Sequence, residues 1–81
     1  VTRRRRTRRL GSLYVNIPEK AEEHGPYPDS RAKKILTYAR IGSQTGVARE
    51  VWWCPPPQAR KRCRRVRRYE NGRRVWPRRV M

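Results

Sequence analysis

Only six residues of this chain are acidic, one is histidine and two are cysteine, and its longest apolar run is the four residues Val51–Cys54. Each shortage excludes something. No segment approaches the roughly 20 consecutive apolar residues of a membrane-crossing helix, so no membrane is expected among the partners. The one histidine, His24, stands in a Gly/Pro-rich stretch, which leaves a Ser–His or Cys–His nucleophile pair without local support. One His with Cys54 and Cys63 does not compose a closed zinc site at any usual spacing. Neither a metal nor another cofactor is therefore expected. Glu22 and Glu23 are adjacent, and sequence neighbours point apart in most conformations, so they suit a solvated loop better than an acid–base pair. No glycine-rich phosphate loop is encoded. The expectation is a chain that is not an enzyme and has no small-molecule substrate. Two cysteines are also too few to staple a small secreted domain. They point to a reducing or organellar compartment, and their replacement by Ser is expected to change little.

What is abundant is positive charge. The 81 residues carry 23 Lys+Arg and a formal net charge of +17, with 35% hydrophobic residues. A core this thin leaves a single small domain marginal, because ordering each residue costs roughly 1–2 kcal/mol of backbone entropy. Self-repulsion adds to that cost. The composition implies a chain that orders mainly against something large and negative.

The charge is unevenly spread. Residues 1–9 hold Arg3, Arg4, Arg5, Arg6, Arg8 and Arg9 with no acid, a basic arm. Residues 10–57 are nearly neutral, with six basic and five acidic residues, and read as a small folded middle. Residues 58–72 read as a basic helix and 73–81 as an extended basic tail. From 58 onward there are eleven basic residues against Glu70 alone.

Within the middle, Leu13, Val15 and Ile17 alternate with Tyr14 and Asn16, which predicts a short extended segment. Residues 19–28, with Gly25, Pro26 and Pro28, predict a loop. Asp29-Ser30 offers an N-cap, and Ala32, Ile35, Leu36 and Ala39 recur at helical spacing up to Gly42, so a helix is expected over 30–41. Residues 43–46 predict a turn. Residues 47–53 predict a short second helix, although Val51-Trp52-Trp53 equally suits an extended chain. Pro55-Pro56-Pro57 then stops any helix. Residues 58–71 contain only tolerated helix formers and end in Asn71-Gly72, which predicts a third helix, basic on nearly all sides. The expected fold is mostly α, small and non-globular: a short extended segment, two short helices, a basic third helix and extended arms that order on RNA.

Arg outnumbers Lys 19 to 4. Its planar fork grips phosphate and stacks on exposed bases, whereas Lys acts as a point charge. Basic blocks beside aromatics suit irregular, partly unstacked RNA better than regular duplex. The candidate RNA contacts are the six arm arginines, then Arg60, Lys61, Arg62, Arg64, Arg65, Arg67 and Arg68 of the basic helix, and Arg73, Arg74, Arg78 and Arg79 of the tail. Lys33, Lys34 and Arg40 on the first helix are weaker candidates. Trp52, Trp53, Tyr69 and Trp76 are candidates for base stacking, with core packing as the alternative for Trp52 and Trp53.

The segments Gly46-Val47-Ala48-Arg49-Glu50-Val51 and Pro56-Pro57-Gln58-Ala59-Arg60-Lys61-Arg62 resemble the bacterial-type small-subunit ribosomal protein twenty-one family. The likeness runs from about Asp29 to Arg68. Residues 51–56 are about one helical turn shorter than that family's pattern, and Trp53-Cys54-Pro55 replaces its aromatic-Glu-Lys. The resemblance implies a short extended N-terminus, an amphipathic helix, a second turn and helix and a long basic helix, on the platform side of the small subunit, with ribosomal RNA and neighbouring ribosomal proteins as partners. The Arg bias and the added outer segments are more typical of mitochondrial ribosomes. The expected function is a structural constituent of a mitochondrial small ribosomal subunit, in the matrix, with cytoplasm or another organelle as the alternative. A first residue that is not Met is compatible with a removed targeting peptide or a removed initiator Met. The competing readings are a nucleic-acid condensing protein, of viral-core or chromatin type, and the basic arm of a capsid protein.

Overall fold

The structure is a computed structural model that describes residues 11–17, 20–25 and 31–78. Among the described residues it is an antiparallel sheet of five strands with one helix on one face. The chain runs β1 (Ser12–Ile17), β2 (Lys20–His24), α1 (Ala32–Gly42), β3 (Arg49–Cys54), β4 (Arg64–Glu70) and β5 (Arg73–Trp76). Across the sheet the order is β2-β1-β3-β4-β5.

The alternation in β1 has the consequence its sequence implies. Leu13 and Val15 are buried against α1, and Val15 stands opposite Val51 of β3, both fully inaccessible. Ile35 and Ala39 of α1, with Tyr69 of β4, close the core. Ala32, Leu36, Trp53 and Val66 pack around it. Residues 35 and 39 are one turn apart, so the helix presents a single narrow stripe to the sheet.

The fold is not mostly α. The helix predicted over 30–41 is present as Ala32–Gly42, with residue 30 outside the described residues. Gly42 is its last residue, and the left-handed position falls at Gly46 (φ 93°), after the 3₁₀ turn Ser43–Thr45. The predicted second helix is instead strand β3. There, β-branched and aromatic residues gain a ladder partner on each side and bury alternate side chains. The predicted basic third helix is also absent: Pro57–Ala59 forms one 3₁₀ turn, and Arg64–Glu70 is β4. An isolated helix basic on all sides has no apolar stripe to bury, whereas as a strand the same residues put Tyr69 into the core. Asn71-Gly72, read as a helix stop, is a two-residue hairpin turn with φ of 52° and 78°. Both are left-handed, as a type I′ turn requires. The predicted tail begins with a strand, β5.

The loop expected over 19–28 contains β2, paired along β1 from Leu13–His24 to Ile17–Lys20. Its composition is poor for a strand, and tertiary contacts compensate. Tyr38 of α1 donates a 2.9 Å hydrogen bond to Glu22, and its ring meets His24 edge-on at 5.5 Å.

Two contacts hold the β4–β5 hairpin in place. Ser43 is fully buried, donates to the Arg40 carbonyl at 2.7 Å and accepts from the Gly72 amide at 2.9 Å. At the other end, Cys54 and Cys63 form a disulfide across the β3–β4 connection. The sequence reading did not join these two cysteines to each other. Their bond closes a ten-residue loop that carries Arg60, Lys61 and Arg62.

Candidate nucleic-acid interface

In a strand, alternate side chains take opposite faces. With Leu13, Val15, Val51 and Tyr69 facing α1, the residues between them face away, onto a side of the sheet that no described element covers. Tyr14 and Trp52 are direct neighbours there, in register between β1 and β3. On β4 the alternation slips. Val51 pairs with Arg67 and Trp52 with Arg65, so Val66 is an extra residue in the ladder. This bulge brings Arg65 and Arg68, three positions apart, onto the same open face. Arg68 in turn pairs with Trp76 of β5. The result is a surface with Tyr14, Trp52 and Trp76 around two arginines.

Glu50 organises this surface. Its Oε2 accepts from Arg65 Nη1 at 2.9 Å and from Arg68 Nη1 at 3.0 Å, and its Oε1 accepts from Trp52 Nε1 at 3.2 Å. Partial burial pushes the Glu50 carboxyl up, and the hydrogen bonds from Arg65, Trp52 and Arg68 outweigh it, leaving the group below the usual carboxylate range. Arg68 Nε also donates to Glu70 at 2.9 Å. Glu70 first and Glu50 second raise the guanidinium above its already high ordinary value. The Arg65 guanidinium carbon lies 4.3 Å from the Trp76 ring centroid. Burial, then the charge and hydrogen bonding of Glu23 beside it, raise the Tyr14 phenol.

The centre of the open face is therefore close to neutral, Arg65 and Arg68 being matched by Glu50 and Glu70. Cations without a carboxylate partner among the described residues lie at its edge and on the other side of the sheet. Arg60, Lys61 and Arg62 are exposed on the disulfide-closed loop. Arg64 follows, its guanidinium carbon 5.3 Å from the Trp53 ring centroid. Arg67 and Arg74, paired with Val51 and Tyr69, lie on the helix side and line a cleft with Arg73 at the hairpin end and with Lys33 and Arg40 of α1. Arg78 is exposed beyond β5. Arg3, Arg4, Arg5, Arg6, Arg8, Arg9 and Arg79 lie outside the described residues.

Of the four stacking candidates, Trp52 and Trp76 belong to the open face. Tyr69 does not: at 3% exposure its ring is part of the core. Trp53 faces α1 and packs against the core, so it offers no free ring face there. The sequence reading missed Tyr14 as a partner of Trp52 and Glu50 as their organiser. Tyr14 alternates with Leu13 and Val15, which was signal enough to put it opposite the core. Nothing in the sequence pairs Glu50 with arginines 15 and 18 positions away.

Among the described residues, no three His, Cys, Asp or Glu side chains are grouped so as to hold a metal ion. No described helix is long and apolar enough to cross a membrane. No family model matches the chain, and no curated protein or solved structure matches it.

Proposed function

We propose that this protein binds RNA, stacking unpaired bases on the open sheet face and engaging phosphates with the cations around it. The observation that carries the reading is the cluster of Tyr14, Trp52 and Trp76 with Arg65 and Arg68, all on one face that no described element covers. Stacking of a base on an aromatic ring is worth about 1–3 kcal/mol and tolerates any sequence. A face whose arginines already bind carboxylates is a poor phosphate site and a better site for uncharged base rings. Phosphates belong instead with the unmatched charges, such as Arg60, Lys61 and Arg62. They supply position and affinity rather than base identity. Irregular RNA offers bases to such a face, and regular duplex does not.

Within this reading the partner we propose is ribosomal RNA, in an architectural role and with a mitochondrial small subunit as the first particle to examine. Support comes from the small core, the +17 charge and the Arg bias. The family resemblance adds no support, because the helices it implies over 47–53 and 58–71 are absent and Arg49–Cys54 and Arg64–Glu70 are strands instead.

Two measurements test this reading. Titration with a single-stranded oligouridylate should quench tryptophan fluorescence, and Trp52→Ala should weaken binding about 5- to 150-fold, the range of one lost stack. Equal affinity for a duplex of the same length, or no effect of Trp52→Ala, would contradict it. Ultraviolet crosslinking in source cells should recover a few discrete sites in one ribosomal RNA. Diffuse crosslinks over all nucleic acid would favour a condensing protein.

A further inference from the structure

The second concentration of charge lies on the opposite side of the sheet from the aromatics. Between α1 and the β4–β5 hairpin is a cleft of about 650 Å³. Lys33, Thr37 and Arg40 recur at helical spacing along its α1 wall, and Arg67, Arg73 and Arg74 form the other wall. Tyr69 and Leu36 complete the lining, which contains no acidic side chain among the described residues. Five cationic side chains from three elements thus converge on one opening. Such convergence is self-repelling unless an anion occupies it.

Two of the five are held by neutral oxygens. Arg74 Nε donates to the Pro77 carbonyl at 2.7 Å, and Arg67 Nη1 reaches the Tyr69 hydroxyl at 3.5 Å. Neither contact offsets the positive charge, in contrast to the carboxylate-bound Arg65 and Arg68 of the open face. The cleft is open to solvent, which suits an extended polyanion better than an enclosed small molecule. The only aromatic ring in the lining is Tyr69, whose ring is buried, so no free ring face is available for a base. The chemistry fits a run of phosphates.

We propose that this cleft binds the phosphate backbone of a second RNA segment, so that one chain holds two segments, one on each side of its sheet. This rests on the RNA-binding reading above and extends it from one strand to a bridge between two. A free polyphosphate shares the same chemistry, and the test separates the two sources.

The experiment uses the full chain at limiting concentration with equal amounts of donor-labelled and acceptor-labelled oligouridylate. Energy transfer should appear, and sedimentation should give two oligonucleotides on one protein chain. The triple variant Lys33→Gln, Arg40→Gln, Arg73→Gln replaces exposed side chains, and circular dichroism checks its fold. It should lose the energy transfer and the second oligonucleotide while Trp52 quenching persists. Its log–log salt slope should fall by roughly 2, for three lost single-strand phosphate contacts. One oligonucleotide per chain in the parent, energy transfer only from protein oligomers, or an unchanged signal in the variant would overturn the proposal. Tripolyphosphate that fills the cleft at concentrations where oligouridylate does not would overturn it in favour of a free polyphosphate. If instead oligouridylate still binds the cleft and Trp52→Ala changes nothing, the stacking reading fails and the cleft stands.

Discussion

Arg65 sets its guanidinium carbon 4.3 Å from the Trp76 ring centroid while its Nη1 donates to Glu50 at 2.9 Å. One side chain of β4 thereby ties β3 to β5 across the open face. A cation held by a carboxylate and an aromatic ring together has a fixed direction, and its neighbours Trp52 and Trp76 inherit that order. The face is built before any ligand arrives, so less ordering entropy is lost on binding.

The pH response of the sheet follows from Glu50. Its carboxyl is held below the ordinary value of about 4.3, so its contribution to stability is complete above that value. It is lost as pH falls through the lower folded value, when the carboxylate protonates and releases Arg65, Trp52 and Arg68. Thermal melts from pH 7 down to 2 should show the parent losing stability below about pH 4.3. Glu50→Gln should start lower and lose less over the same window. Parallel pH profiles for the two proteins would contradict the role given to Glu50.

Ser43→Ala removes the hydroxyl that accepts from the half-buried Gly72 amide and donates to the Arg40 carbonyl. Leaving both groups without that partner costs about 1 kcal/mol, the low end of the range for unsatisfied groups. Urea unfolding should register that loss. Amide exchange should also speed at Gly72 and its hairpin before it speeds in β1. A loss below a few tenths of a kcal/mol would mean that water replaces the hydroxyl.

Cys54→Ser with Cys63→Ser opens the ten-residue β3–β4 loop. By loop-closure entropy the bond is worth about 2–3 kcal/mol. The double variant, and the parent in strong reductant, should both melt earlier and show weaker RNA binding through Arg60, Lys61 and Arg62. Identical melting of oxidised and reduced protein would contradict the bond.

Some of this architecture is legible in the sequence and some is hidden for physical reasons. Leu13 and Val15 announce β1 because they are buried while Tyr14 and Asn16, alternating with them, are not. Ala32, Ile35, Leu36 and Ala39 announce α1 for the matching reason at helical period. In β4, arginines occupy both faces, since both sides of the sheet carry cations, and the bulge at Val66 breaks the period of two. Asn71-Gly72 is ambiguous in itself, because a helix end and a type I′ hairpin both call for left-handed backbone. β2 is written in Lys, Ala, Glu and His and exists through pairing with β1 and the Tyr38–Glu22 bond, both long-range. The charge map located the cations correctly along the chain. Their division into a neutral aromatic face and an all-basic cleft depends on register, which composition does not contain.

The most direct test is to crosslink the full chain to oligouridylate with ultraviolet light and sequence the peptides that retain a nucleotide. The account predicts adducts at Tyr14, Trp52 and Trp76 and none at Tyr69, whose ring is buried. Adducts at Tyr69 with none at Trp52 or Trp76 would mean that the open face is not where bases bind.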